Sequence, residues 1–263
     1  MVKYGSFQRN KINGKNQIIC DGGGLTSCLS VRLDNVIAYR NKFGEFPLEI
    51  DSTKQFQLYA DEEGQNVSMY LIGSYEPDNS LPQFNFYHDM QFEWYDKIGL
   101  PEITAIANSV CPMSPVVLEK EDNMKKIMED RTAILYRGND KGMEINRTPY
   151  QAMEILAKES NADKFIVQTD EEDFYWYFKE RFPNTICFDE IPRINKNPDS
   201  YVMPGKGNKV KFAINFLAAL KAISSSPNLI TTTGNTGLWA AIFRGKKDNI
   251  FQWNGKYNEW KKF

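Results

Sequence analysis

Histidine is almost missing from this chain: His88 is the single one in 263 residues. A Ser-His-Asp triad or a histidine-rich zinc site would have to pass through it, which removes most mechanisms of those kinds before any motif is weighed. It stands in the aromatic run FNFYHDMQFEW, where it reads as a packing or surface residue without a chemical role. Cysteine is scarce too. Cys20, Cys28, Cys111 and Cys187 lack metal-ligand spacing, and the chain does not start like a signal peptide, so reduced thiols in a cytoplasmic protein are expected. No excess of one charge exists: 32 basic against 34 acidic residues leave a net charge of -2, which argues against binding nucleic acid by bulk electrostatics. Long apolar runs, repeats and low-complexity tracts are absent, so no transmembrane segment is expected. With 41% apolar and 25% charged residues the composition is that of a folded globular chain, long enough for one large or two ordinary domains.

What is present is a succession of strands and helices. NQIIC reads as a short strand, DGGGLTS as a loop, and SVRLDNVIAYRNKFG as a helix ended by Gly44 in a left-handed cap, with FPLEID as the next strand: a parallel βαβ start. From about residue 52 to 125 the pattern weakens, apart from a surface helix in SPVVLEKEDNMKKIMED, and a domain boundary falls near 128. Beyond it TAILYR, KFIVQT, TICFDEI and NLITT read as strands. Between and after them, RTPYQAMEILAKESN (Thr148-Pro149 as cap and first turn; Ala152, Ile155 and Leu156 on one face), EEDFYWYFKERFPN, VKFAINFLAALKAISSS and the segment after TTTGNTG read as helices. The expected fold is α/β, with two Rossmann-like domains, 1–128 and 129–263, facing each other across a cleft at the carboxyl ends of their strands. The terminal NIFQWNGKYNEWKKF interleaves aromatics and lysines, as a core cap or as a surface for glycan or membrane.

Four loops fall at strand ends facing that cleft. In DGGGLTS, Gly23 and Gly24 let backbone amides approach a ligand, or else form a tight turn; the loop has neither the dinucleotide spacing nor the Walker lysine. After TAILY come Arg137, Gly138, Asn139, Asp140, Lys141 and Gly142. Arg137 there suits a diphosphate, with Asp140 holding the guanidinium or a sugar hydroxyl; a solvated charged turn is the plainer reading. In TDEED, Thr169 or Asp170 caps a helix or Asp170 reaches the cleft, while Glu171 and Glu172 diverge around the helix and no Asp-x-Asp metal motif occurs. TTTGNTG, with Gly234, Asn235 and Thr236, opens a helix whose amides suit a phosphate.

Together these strand ends resemble the superfamily of α1,6-fucosyltransferases, protein O-fucosyltransferases and α1,2-fucosyltransferases. Its motif His-x-Arg-Arg-x-Asp-Lys is similar to Leu135-Tyr136-Arg137-Gly138-Asn139-Asp140-Lys141, where Arg137, Asp140 and Lys141 match while the histidine and the second arginine do not. The Thr-Asp-Asp motif is similar to Thr169-Asp170-Glu171, and Asn235 falls at the position of a nucleotide-binding serine. Ala213 stands where relatives place an acid. The resemblance covers about 130 residues well and the first 50 loosely. It implies a GT-B-type, inverting transferase that moves a sugar, fucose from GDP-fucose as first choice, to a glycan hydroxyl without cofactor or catalytic metal. Donor binding would fall to Gly23, Gly24, Arg137, Asp140, Lys141, Asp170, Gly234, Asn235 and Thr236. With histidine scarce, a carboxylate is expected as general base: Glu144, since relatives carry a glutamate just beyond the lysine, or Asp21. The alternatives are an inactive nucleotide-sugar or glycan-binding protein on the same scaffold, and an unrelated α/β enzyme such as a sugar-phosphate epimerase, whose dinucleotide loop is missing.

Overall fold

The computed structural model describes residues 10–12, 15–19, 23–128, 130–139, 145–195, 204–205 and 207–263. Asp21, Asp140, Lys141 and Glu144 lie outside the described residues. The chain opens with β1 (Asn10–Ile12) antiparallel to β2 (Lys15–Ile19), and β2 runs parallel to β3 (Glu49–Asp51). Helix α1 (Leu25–Phe43) makes the crossover, completing the expected βαβ unit. It stops where Gly44 adopts φ 80° and returns its amide to the Arg40 carbonyl, a left-handed cap that glycine enters without steric cost. α1 is buried on nearly all sides, Arg32 and Arg40 included. The Arg32 Nε donates to the Val110 carbonyl at 2.7 Å and the Arg40 guanidinium reaches the carbonyls of Asp78, Asn79 and Leu81. These bonds replace the water that each buried cation gives up.

The middle region holds the short α2 (Ser68–Leu71), then α3 (Leu100–Val110) and α4 (Pro115–Met128), joined through 3-10 turns at Gln57–Tyr59, His88–Phe92 and Tyr95–Lys97. α4 matches the surface helix expected there. In the second half β4 (Thr132–Tyr136), β5 (Phe165–Thr169), β6 (Thr185–Ile186), β7 (Leu229–Thr232), β8 (Ile250–Asn254) and β9 (Glu259–Lys262) form one sheet in the order β6-β5-β4-β7-β8-β9. All pairs are parallel except β8 with β9, which turn the aromatic-lysine terminus into a hairpin on the sheet's edge. The strand expected over TICFDEI is confined to two residues.

Helices α5 (Tyr150–Glu159) and α6 (Glu172–Arg181) cover one face, where Ile134, Phe165, Val167, Ile230 and Phe251 meet Met153, Leu156, Phe174 and Phe178. α7 (Lys209–Ser224) and α8 (Asn235–Arg244) lie with the alternate residues Ala133, Leu135, Ile166 and Leu229, in a core continuous with α1, α3 and α4. Side chains of a strand alternate between faces, so a sheet covered twice calls for apolar residues on both, as Ala133–Tyr136 of β4 and Phe165–Val167 of β5 supply. Two local expectations shift. α5 begins at Tyr150 with Pro149 at its cap and no side-chain cap bond. Its buried face is Ala152, Met153, Leu156 and Ala157, whereas Ile155 is 50% exposed.

Where two Rossmann-like sheets are expected, the described part of the first half carries one three-stranded sheet, and the core runs on across residue 128: α4 packs along α7, and α1 and α3 pack against α8. No described helix is long and apolar enough to cross a membrane.

Candidate active site

The chain leaves β4 toward β5 on one side and later returns to β7 on the other, so the sheet's order reverses at β4. Open α/β sheets form a crevice at such a point. A cavity of about 520 Å³ lies there, bordered by the ends of all three strands (Leu135–Arg137, Gln168–Asp170, Thr231–Gly237), by Gly23–Ser27 at the head of α1, and by His88 and Gln91. Its volume falls in the range of small-molecule sites. Leu58, Tyr59, Phe212 and Phe216 form an apolar flank, with the Tyr59 and Phe212 rings stacked at 6.1 Å.

Arg137 projects from the end of β4 to the cavity wall, where the Asp170 Oδ2 stands 3.2 Å from its Nε. The other Asp170 oxygen accepts the Gly138 amide at 3.0 Å, and the Asn139 side chain donates to the Asp170 carbonyl at 2.9 Å. Among the described residues Asp170 stands beside the guanidinium, and Asp140, expected to hold it, lies outside them. Behind this pair lies Glu171, fully buried, accepting the Tyr150 hydroxyl at 2.7 Å with the Arg147 guanidinium 3.8 Å away. Burial, helped by this carboxylate, raises the Tyr150 phenol above its ordinary pKa. A Cβ on Gly138 would sit 2.3 Å from the Glu171 carboxyl carbon. Glycine at 138 is a packing demand of Glu171, and the same contact leaves no room for an arginine there. Glu172 turns away to Trp176 and Arg193, the divergence expected of the acidic run. Among the described residues no group of three or more His, Cys, Asp and Glu is placed to hold a metal ion.

The heads of α1 and α8 meet at the cavity. Gly234 has φ 135°, a conformation that favours glycine, and its amide donates to the Gln91 carbonyl at 3.0 Å; the Asn235 amide donates to the Gln91 side chain at 3.1 Å. Two of the amides expected to face a phosphate, those of Gly234 and Asn235, are thus held by Gln91. Gly237 is equally constrained, since a Cβ would lie 2.4 Å from the Thr232 carbonyl oxygen. The hydroxyls of Thr26 and Thr236 approach to 3.3 Å. Gly23 and Gly24 differ: a Cβ on Gly23 meets nothing within 4 Å, and one on Gly24 meets only the Tyr59 hydroxyl at 3.9 Å. Among the described residues no contact requires glycine at either position. Ala213 is buried in α7 away from the cavity, which its neighbours Phe212 and Phe216 border.

His88 is the residue sequence reasoning placed elsewhere. Its ring borders the cavity with Nε2 2.9 Å from the Ser27 Oγ and 3.1 Å from the Asn235 amide nitrogen. Its Nδ1 lies 3.3 Å from the Gln91 side-chain nitrogen and 3.8 Å from the Asp89 carboxylate, and its backbone amide donates to Asp34 at 3.3 Å. Burial raises the Asp34 carboxyl above the ordinary range. The run FNFYHDMQFEW gave no signal of this; its surplus of polar groups among aromatics was the only trace.

No protein-family model matches the chain, and no curated protein matches it. Solved structures do. Fucosyltransferase NodZ from Bradyrhizobium superposes with a TM-score of 0.57 at 10% identity, covering 93% of this chain and 96% of that one. NodZ alpha-1,6-fucosyltransferase soaked with GDP-fucose gives 0.59 at 10% identity, over 93% and 97%, and the same enzyme co-crystallized with GDP gives 0.56 at 10%, over 93% and 96%. The chain shares the fold of these fucosyltransferase structures.

Proposed function

We propose that this protein is an inverting, metal-independent glycosyltransferase of GT-B type that moves fucose from GDP-fucose to a glycan hydroxyl. The observation that carries the reading is the cavity itself: Arg137, oriented by Asp170, and the heads of α1 and α8 converge on one space at the switch point of the sheet. Each is a feature that suits a diphosphate, by paired hydrogen bonds or by helix-end electrostatics. Gly23 and Gly24 support it, because glycine that packing among the described residues does not require is accounted for by a ligand passing close to the backbone.

In this reading residues 1–128 and 129–263 act as two units across the cavity, the first supplying the glycine loop on the acceptor side and the second the donor side. The nucleotide-sugar contacts are Gly23, Gly24, Arg137, Asp170, Gly234, Asn235 and Thr236, with Asp140 and Lys141 assigned by the resemblance. Tyr59 and Phe212 offer the nucleobase or the sugar an apolar wall. Arg137 neutralises the charge that grows on the leaving diphosphate, where preorganised charge contributes most to rate. A carboxylate, Glu144 or Asp21, is the base that the resemblance suggests. The cytoplasm, where nucleotide sugars are made, is the proposed location.

Thermal unfolding with GDP, GDP-fucose and uridine- and thymidine-based nucleotide sugars tests the reading. A ligand at 100 times its dissociation constant adds about 2.7 kcal/mol, so the true donor will raise the midpoint clearly. GDP-fucose is then offered with a panel of oligosaccharides and the product's anomeric configuration read by NMR. No stabilisation by any guanine nucleotide rejects the donor; binding without transfer or hydrolysis leaves a binding protein.

A further inference from the structure

We propose that His88 is the general base of this transfer, removing the acceptor hydroxyl's proton at Nε2; the inference rests on the proposed function and replaces the expected carboxylate.

A hydrogen-bond chain behind the ring fixes the amides that face it. The Trp239 indole can only donate, and it donates to the Ser30 Oγ at 2.9 Å. The Ser30 proton is then directed to the Asn235 side chain at 2.7 Å, which fixes that end of the amide as the oxygen. The amide nitrogen is left facing Nε2 at 3.1 Å, and an amide nitrogen accepts nothing. The Gln91 side chain, its oxygen held by the Asn235 backbone amide, likewise turns its nitrogen to Nδ1 at 3.3 Å, so each ring nitrogen faces an amide donor, with the Asp89 carboxylate 3.8 Å from Nδ1. Asp34, reached by the backbone amide, is a second carboxylate near the ring.

On the cavity side, the Ser27 hydroxyl is 2.9 Å from Nε2. Both residues line the cavity, and in this proposal the acceptor hydroxyl docks on Nε2 in the place the Ser27 hydroxyl holds here. Its proton moves to Nε2. Its oxygen bonds to the anomeric carbon as the bond from that carbon to the diphosphate breaks, and the electron pair leaves with the diphosphate, beside Arg137. Among the described cavity residues Asp170 is the sole carboxylate, and it is engaged by Arg137 and the Gly138 amide. Imidazole suits the task, since general bases work best when their basicity lies close to the working pH.

The chain's having one histidine makes the test specific. In His88→Gln, transfer from GDP-fucose should fall roughly 10²- to 10⁴-fold while GDP affinity stays within a few-fold, and imidazole added to His88→Ala should restore part of the rate. Diethyl pyrocarbonate on the unmutated protein should abolish transfer as its one imidazole reacts, with recovery in hydroxylamine, and this arm serves even where a variant fails to fold. Transfer within threefold of normal in His88→Gln, or activity that survives full modification of the imidazole, overturns the assignment. Wild-type protein that binds no GDP fails the proposed function instead, and the two failures are told apart by that binding measurement.

Discussion

Arg137 and Asp170 stand at the ends of adjacent parallel strands, Nε to Oδ2 at 3.2 Å, with the second carboxylate oxygen on the Gly138 amide. The carboxylate is tied to the backbone that carries the arginine, so the guanidinium's plane is set by a contact that does not depend on ligand. A preorganised cation loses little on meeting a diphosphate, whereas a mobile one must first be ordered.

Arg137→Lys should therefore lower transfer by about 10²- to 10³-fold, because an ammonium reproduces the charge and neither the fork nor its orientation. Steady-state rates and GDP affinity in the variant are the measurements. Normal values for both remove Arg137 from the site.

Gly138→Ala and Gly23→Ala should behave in opposite ways. The first drives a methyl group to 2.3 Å from the Glu171 carboxyl carbon, and the expected cost is about 1–3 kcal/mol of stability. The second meets open space, so the protein should keep its stability or gain about 0.4–1 kcal/mol through a less flexible unfolded chain. GDP binding should weaken at least about tenfold in Gly23→Ala if the ligand passes over that loop, a loss of about 1.4 kcal/mol. Denaturant unfolding and GDP titration on both variants separate packing from binding; equal GDP affinity in Gly23→Ala and the native protein removes the loop from the donor site.

Transfer should survive EDTA. In the proposed reading Arg137 and the heads of two helices would supply the positive charge that a metal otherwise gives a diphosphate. Loss of activity on chelation with rescue by manganese would move the chemistry to a metal and reject the metal-independent reading.

Glu144→Gln removes basicity and keeps shape. With His88 as base, transfer should stay within a few-fold of normal, in contrast to the roughly 10²-fold or greater loss expected of His88→Gln. The reverse ranking of the two variants returns the role to the carboxylate, and Asp21→Asn decides in the same assay whether the glycine loop contributes one.

The sequence by itself determined the parts of this protein whose causes are local. Apolar runs at 133–136 and 165–167 mark strands buried on both faces, Gly44 marks a helix end, and strand-loop-helix order places Arg137, Asp170 and Asn235 at one edge of a parallel sheet. Only the tertiary structure decided what those residues do to one another. Asp170 answers Arg137 because β4 and β5 are adjacent and in register, and Gly138 is glycine because Glu171 packs beneath it. Strand β8 is a strand because β7 offers it a parallel partner. His88 reaches Ser27 across 61 positions and Asn235 across 147. Such contacts leave no periodicity in the chain, because they are set by how helices and sheet pack, and the neighbours of a side chain on the sequence say nothing of its neighbours in space.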